Sequence, residues 1–225
     1  MNSLKVLYED NHLIVVEKPV NIPSQGDKTG DVDMLSIIKA YLKEKYNKPG
    51  DVYLGLVHRL DRPTGGVMVF AKTSKCASRL SEQVRNKEFH KQYLCIVDGK
   101  LEENKGTFRD YLYKNEKNNT SRIAKPNEKN AKKAILDYEV IKYNDEINLS
   151  VVKVNLHTGR HHQIRVQFAS RNHSLYGDQK YGARGRGKQL ALWAYSLSFR
   201  HPTTKEELTF EDYPEKIGSW KILED

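Results

Sequence analysis

The sequence predicts an α+β fold built on a mixed, largely antiparallel sheet flanked by helices. Segments with strand-like alternation outnumber those with helical spacing, and several of them follow one another directly. A doubly wound βαβ protein would instead alternate the two element types along the chain. Helical spacing is clearest at Met34, Leu35, Ile38 and Leu42, and again at Ala77, Leu80 and Val84, where apolar residues recur on one face.

Taken in order, HLIVVEKP is a buried strand stopped by Pro19, and IPSQGDKTGD after it has the Gly, Ser and Asp content of a loop. The first helix then runs to about Tyr46. GGVMVFAKT is a strand, and SKCASRLSEQVRN is a helix with Ser74 as its expected N-cap. In KQYLCIVDGKL, Tyr93, Cys95 and Val97 alternate with Leu94 and Ile96, the period of a strand. AILDYEVIKY, NLSVVKVNL, LALWAYSLSF and ELTFED continue the β pattern. Two segments are expected to be basic loops. Residues 114 to 133 carry seven Lys/Arg against two Glu. YGARGRGKQ, from Tyr181 to Gln189, sets Arg184, Arg186 and Lys188 at alternate positions among glycines. Such segments either solvate a surface or lie against phosphates.

Bulk properties narrow the function classes. The chain has 225 residues, enough for one large domain or two small lobes. Its 38 Lys+Arg against 29 Asp+Glu give a net charge of +9, with a mean hydropathy of -0.73. A soluble globular protein with a polyanionic partner is expected, nucleic acid ahead of a membrane surface. No apolar run is long enough for a transmembrane helix, and MNSLKVLYEDNHL lacks the apolar core of a signal peptide. A cytoplasmic location follows as the expectation. Cys76 and Cys95 form no C-x-x-C pair, so free buried thiols are expected rather than a disulfide or a zinc site.

Two dense polar clusters carry the candidate chemistry. In VHRLDRPTGG, residues 57–66, His58, Arg59, Asp61 and Arg62 are enclosed by Leu54, Leu56, Val57 and Leu60 on one side and Val67, Met68, Val69 and Phe70 on the other. A carboxylate at the edge of an apolar stretch is either one half of a structural ion pair or a working group. The second cluster is HTGRHHQIR, residues 157–165. Adjacent His161 and His162 point in different directions on any regular element, and the Glu of an H-E-x-x-H motif is absent, so no metal site is expected. Ile164, Val166 and Phe168 fit a strand, while Ile164, Phe168 and Ala169 fit a helix face. In both cases Arg165 is framed by apolar residues and needs a carboxylate or phosphate partner, for which Asp61 is the candidate.

HRLDRPTGGVMVFAK, KQYLCIV, LHTGRHHQIRVQFA, GDQKYG and LALWAYSLSFRHP, in this order, resemble the RluA-type pseudouridine synthases, as does the opening VLYEDNHLIVVEKPVNIPS with its lysine-proline pair. The resemblance runs from about Val6 to Pro202, and the HRLD and GRxHQIR blocks together make it specific. Two positions depart from the pattern: Gly65 stands where Ser is usual, and Trp193 where the family often has His. Neither removes a group the chemistry needs.

The resemblance implies one catalytic domain over residues 1–225 with a central RNA-binding cleft, and no N-terminal S4-like domain. It implies isomerisation of specific uridines in rRNA or tRNA, with the base flipped from its stack and no metal or other cofactor. Asp61 matches the catalytic aspartate; it either adds to C1′ or C6, or removes the C2′ proton. Tyr93 matches the tyrosine that covers the flipped base, and Arg165 the arginine that pairs with the aspartate. Arg59 is assigned to the vacated stack or the RNA backbone, and Ile164 to packing against uracil. RNA is the expected partner, with no membrane, no obligate protein partner and a monomeric state. A non-catalytic RNA-binding module and a metal-dependent nuclease are the competing readings.

Overall fold

The computed structural model describes residues 4–182 and 187–224, which fall into two compact units. The first comprises residues up to His90 together with Ala194–Tyr213, and the second Lys91–Trp193 with residues from Pro214 on.

In the first unit, β1 (Val6–Glu9), β2 (Leu13–Lys18), β4 (Gly65–Ala71) and β10 (Leu192–Arg200) lie side by side. The short β3 (Gly55–Leu56) pairs with β4, and β11 (Glu207–Glu211) pairs antiparallel with β10. β1–β2 and β2–β4 are antiparallel as well, and Lys18 lies opposite Gly66 in the register. One face of β2 and β4 presents Leu13, Val15, Val67, Val69 and Ala71 to a core shared with Cys76, Leu80, Phe89, Leu197 and Phe199. Ile14, Val16, Met68 and Phe70 on the other face are fully buried too. Both faces are therefore covered, which is why these strands have no polar alternation. α1 (Met34–Lys45) begins at Asp33, whose carboxylate accepts from the Ser36 N–H. It buries Met34, Ile38 and Leu42 and carries Lys43 and Lys45 in its last turn, where cations suit the helix dipole. α2 (Ser74–Arg85) is capped by Thr73 rather than by Ser74, which is its first helical residue.

In the second unit, β5 (His90–Asp98), β9 (Leu149–Leu156), β8 (Lys132–Asn144), β6 (Lys105–Asn115) and β7 (Thr120–Ala124) form an antiparallel array in that order. A register shift between Val140 and Lys142 leaves Ile141 exposed as the extra residue of a bulge. α3 (Gln163–Ala169) packs on β6 and β7, its Val166 clustering with Leu112 of β6, Ile123 of β7 and Ala134 of β8. A 3-10 turn, Gly218–Leu223, buries Trp220 and Ile222 near the C-terminus. Both cysteines are buried free thiols, and burial pushes Cys76 up to about 12.

One expected loop contains a strand. Residues 114 to 133 run from the end of β6 through β7 into β8. The reversal is made by Asn119 at φ 50, the left-handed region that Asn tolerates, and by the Asn115 side chain accepting from the Lys117 N–H. Of the other basic segment, Arg184 and Arg186 lie outside the described residues, and Lys188 is exposed. No helix among the described residues is long and apolar enough to cross a membrane.

The tightest backbone approach in the first unit is at Gly66. It sits at φ 116, and a Cβ there would meet the Ala194 carbonyl oxygen at 2.2 Å. Gly66→Ala is expected to cost more than about 2 kcal/mol through backbone strain and overlap combined. A urea midpoint equal to that of the unaltered chain would contradict this packing.

Candidate active site

The loop bearing Asp61 is held to the scaffold of the first unit at nearly every residue. His58 is buried, and its Nε2 accepts from the Val69 N–H of β4 at 3.1 Å. Its ring meets Phe89 edge-on with centroids 6.0 Å apart. The Ser24 hydroxyl donates to the Leu60 carbonyl at 2.9 Å and accepts from the Leu60 N–H at 3.2 Å. The Asp61 carbonyl accepts from the Thr64 N–H at 2.9 Å, closing a turn under the carboxylate. Asp61 itself is half-buried and Arg59 is exposed.

Lys18 supplies the next tether. It is 0% exposed, and its Nζ donates to the carbonyls of Pro19 at 2.9 Å, Ile22 at 2.6 Å and Arg62 at 3.0 Å. Burial pushes its pKa down to about 7, opposed by attraction to the Asp61 carboxylate. The Arg62 side chain reaches to the loop between β2 and α1, bonding the Asn21 carbonyl, the Thr29 hydroxyl and the Asp31 carboxylate. A second carboxylate, Asp27, lies 3.7 Å away. The two acidic residues neutralise a cation one position from Asp61.

In the second unit the HTGRHHQIR segment is a turn leading into a helix, which decides the helix-or-strand ambiguity. The Thr158 hydroxyl accepts from the Ile135 N–H at 2.8 Å and donates to Gln163 Oε1 at 2.8 Å. Gln163 Nε2 donates to the Ile135 carbonyl at 3.1 Å. His162 adopts φ 54 as the cap of α3. That left-handed residue overturns the expectation that the two histidines diverge: their rings stack with centroids 3.7 Å apart. The Tyr181 hydroxyl accepts from the Ser121 N–H at 2.7 Å and is hydrogen-bonded to His162 Nδ1, also at 2.7 Å. Burial, reinforced by nearby lysines and Arg165, lowers His161 to about 4 and His162 to about 2. Both rings are neutral near pH 7 and are set as hydrogen-bonding struts.

Arg165 is 4% exposed on α3 and makes a bidentate pair with Asp178, which is 2% exposed. Nε meets Oδ2 and Nη2 meets Oδ1, each at 2.7 Å. Asp178 Oδ1 also accepts the N–H groups of Lys180 and Tyr181. The guanidinium lies over the Tyr181 ring, 5.2 Å from its centroid. Ile164 and Tyr93 are buried, Ile164 on the same helix and Tyr93 on β5 opposite Val154. The sequence-predicted residues thus divide, with Arg59 and Asp61 in the first unit and Tyr93, Ile164 and Arg165 in the second. No group of three or more potential metal ligands occurs among the described residues.

The RNA pseudouridylate synthase family model matches residues 12–170, a span containing the tethered loop, Tyr93 and all of α3. The chain belongs to the RNA pseudouridylate synthase family. It is 35% identical to the uncharacterized RNA pseudouridine synthase YhcT of Bacillus subtilis over 93% of this chain and 68% of that protein. It is 33% identical to ribosomal large subunit pseudouridine synthase C of Haemophilus influenzae, over 92% of this chain and 64% of that protein. It is also 31% identical to tRNA pseudouridine synthase C of the same organism, over 92% and 91%. The chain therefore spans about two thirds of the length of the first two. The fold matches human RNA pseudouridylate synthase domain containing 1 with a TM-score of 0.78, at 22% identity over 97% of this chain and 86% of that one. Pseudouridine synthases are isomerases, and by family this chain is one.

Family motifs drew attention to Asp61 and Arg165 but left Lys18, Ser24 and Asp178 unassigned. Lys18 had a visible signal, a cation inside the apolar run HLIVVEKP. Asp178 stands in GDQKYG, where nothing local marks it as the partner of an arginine 13 residues earlier.

Two outcomes test this geometry. Asp178→Ala strands a buried guanidinium, and a loss of about 3–5 kcal/mol in unfolding free energy is expected; a loss under 1 kcal/mol would rule out the buried pair. For Lys18, the unfolded chain titrates near 10.5 and the folded chain near 7. Between those values the unfolded chain holds a proton that the folded one has released, so stability rises with pH across that window. Lys18→Met should remove this rise, measured by urea unfolding from pH 7 to pH 10. A wild-type-minus-variant difference that stays flat over the range would contradict it.

Proposed function

We propose that this protein isomerises specific uridines of rRNA or tRNA to pseudouridine in the cytoplasm, with Asp61 as the reacting carboxylate. The observation that supports it best is the family match across residues 12–170, which includes Asp61 in a loop tethered at His58, Leu60 and Arg62. Net reaction breaks the C1′–N1 bond and forms C1′–C5. The C5 proton leaves and N1 gains one, so nothing is oxidised or hydrolysed and no cofactor is called for. Asp61 either bonds covalently to C1′ or C6, or takes the C2′ proton to give a glycal. In each route the carboxylate is the group that reacts.

The target base must leave its stack to react. In this reading the Tyr93 ring covers the flipped uracil and its hydroxyl assists loss of the C5 proton, while Ile164 packs against the base. Arg165, locked by Asp178, is assigned to pair with the Asp61 carboxylate. Arg59 fills the vacated stack or grips the backbone. The net charge of +9 supplies general affinity for phosphates. The two units act together as one catalytic domain, as a monomer without an obligate protein partner.

The test is tritium release from RNA labelled at uridine C5, with purified protein. Asp61→Ala is expected to reduce release to background while RNA binding persists, because the basic surface is intact. Addition of EDTA should leave the unaltered protein's turnover unchanged. Turnover surviving in Asp61→Ala would sink the assignment, and EDTA-sensitive strand cleavage with no tritium release would favour a metal-dependent nuclease.

A further inference from the structure

Residues 19–24 connect β2 to the turn before α1, and the proposed chemistry gives them no part. Their geometry is nevertheless that of a bracket. The Pro23 carbonyl accepts from the Met34 N–H at the start of α1 at 2.9 Å, so this end of the segment is fixed to a rigid helix. The next residue, Ser24, is 5% exposed. Its hydroxyl meets both polar backbone groups of Leu60, donating at 2.9 Å and accepting at 3.2 Å. A strand partner would satisfy Leu60 in the same reciprocal way, but here one side-chain oxygen substitutes for a whole residue of backbone. Leu60 is buried and immediately precedes Asp61. The Met68 sulfur, 3.6 Å from the same hydroxyl, closes its remaining side.

We propose that Ser24 is a positioning residue for catalysis: through its paired hydrogen bonds to Leu60 it sets where the Asp61 carboxylate stands relative to the substrate. The proposal rests on Asp61 being the reacting group. Two features make the position sensitive. The Leu60 N–H and carbonyl are buried beside Ser24, so loss of the hydroxyl leaves both wanting a partner and the backbone shifts to find one. The loop is also held at His58 and at Arg62, so a shift is confined to the residues between, which include Asp61. A displacement of about 1 Å at a reacting group can lower a rate by on the order of 100-fold without touching the substrate's binding surface.

The experiment compares the unaltered chain, Ser24→Ala and Asp61→Asn in tritium release, using RNA labelled at uridine C5 and isolated from cells lacking the gene. Rates are taken over a range of RNA concentrations and normalised to the folded fraction from far-ultraviolet circular dichroism. For Ser24→Ala, kcat is expected to fall roughly 10- to 100-fold with KM within about twofold, and filter binding of the same RNA to be unchanged. A purely structural role would lower the melting temperature and the folded fraction but leave kcat per folded molecule intact, and that result overturns the proposal. Should Ser24→Ala fail to fold, Ser24→Cys, which nearly keeps the volume and weakens both bonds, is read by the same split. If Asp61→Asn is inactive while the Ser24 variant keeps full kcat, positioning fails and the catalytic reading stands. If Asp61→Asn keeps full turnover, the catalytic reading itself fails, and this proposal with it.

Discussion

The Lys18 ammonium has no solvent around it, and a charge so placed requires an acceptor for each of its three protons. It finds them in the carbonyls of Pro19, Ile22 and Arg62. Two of those carbonyls belong to the segment leaving β2, and the third to the residue after Asp61. One buried cation thus ties the segment after β2 to Arg62, which lies 44 residues beyond the lysine in sequence. The Asp61 carboxylate in turn lies near enough to favour the charged form of the lysine.

Around this point the loop is held by unlike groups, each from a different element. β4 supplies the Val69 N–H to His58, and the segment before α1 supplies Ser24 to Leu60. The loop containing Asp27 and Asp31 holds the Arg62 side chain. Supports on regular elements hold a loop more precisely than other loops do, and here β2, β4 and α1 all contribute. Gly66 belongs to the same design. It pairs with Lys18 across the strands, and its missing side chain lets β4 close on Ala194. In the second unit, Arg165 is immobilised by Asp178, by two backbone N–H groups that share that carboxylate, and by the Tyr181 ring.

Much of the fold was legible because its patterns are local. β2, β4, β5 and the two longer helices follow directly from apolar spacing, and α1 ends within a residue of its expected limit. The 114–133 segment reads as a loop because its β7 is only five residues long between Lys- and Asn-rich turns, and the reversal depends on the left-handed Asn119. The α3 segment was ambiguous because Gln163 through Phe168 are all buried, so no exposed face betrays the period. The stacked histidines depend on the backbone angle of one residue, His162, which composition does not encode. Asp61 is a candidate from its neighbours and motif alone. The groups that hold its loop, Lys18 and Ser24, lie dozens of residues earlier, and only the folded chain reveals them.

The central claim is that Asp61 converts uridine to pseudouridine in cellular RNA. Its most direct test is site-resolved pseudouridine mapping of total RNA by carbodiimide adducts and primer extension. Three strains suffice: one with the gene, one without it, and one carrying Asp61→Ala. The account predicts that one or a few sites present in the first are absent from both of the others. A map in which Asp61→Ala retains every site that the gene's deletion removes would contradict it.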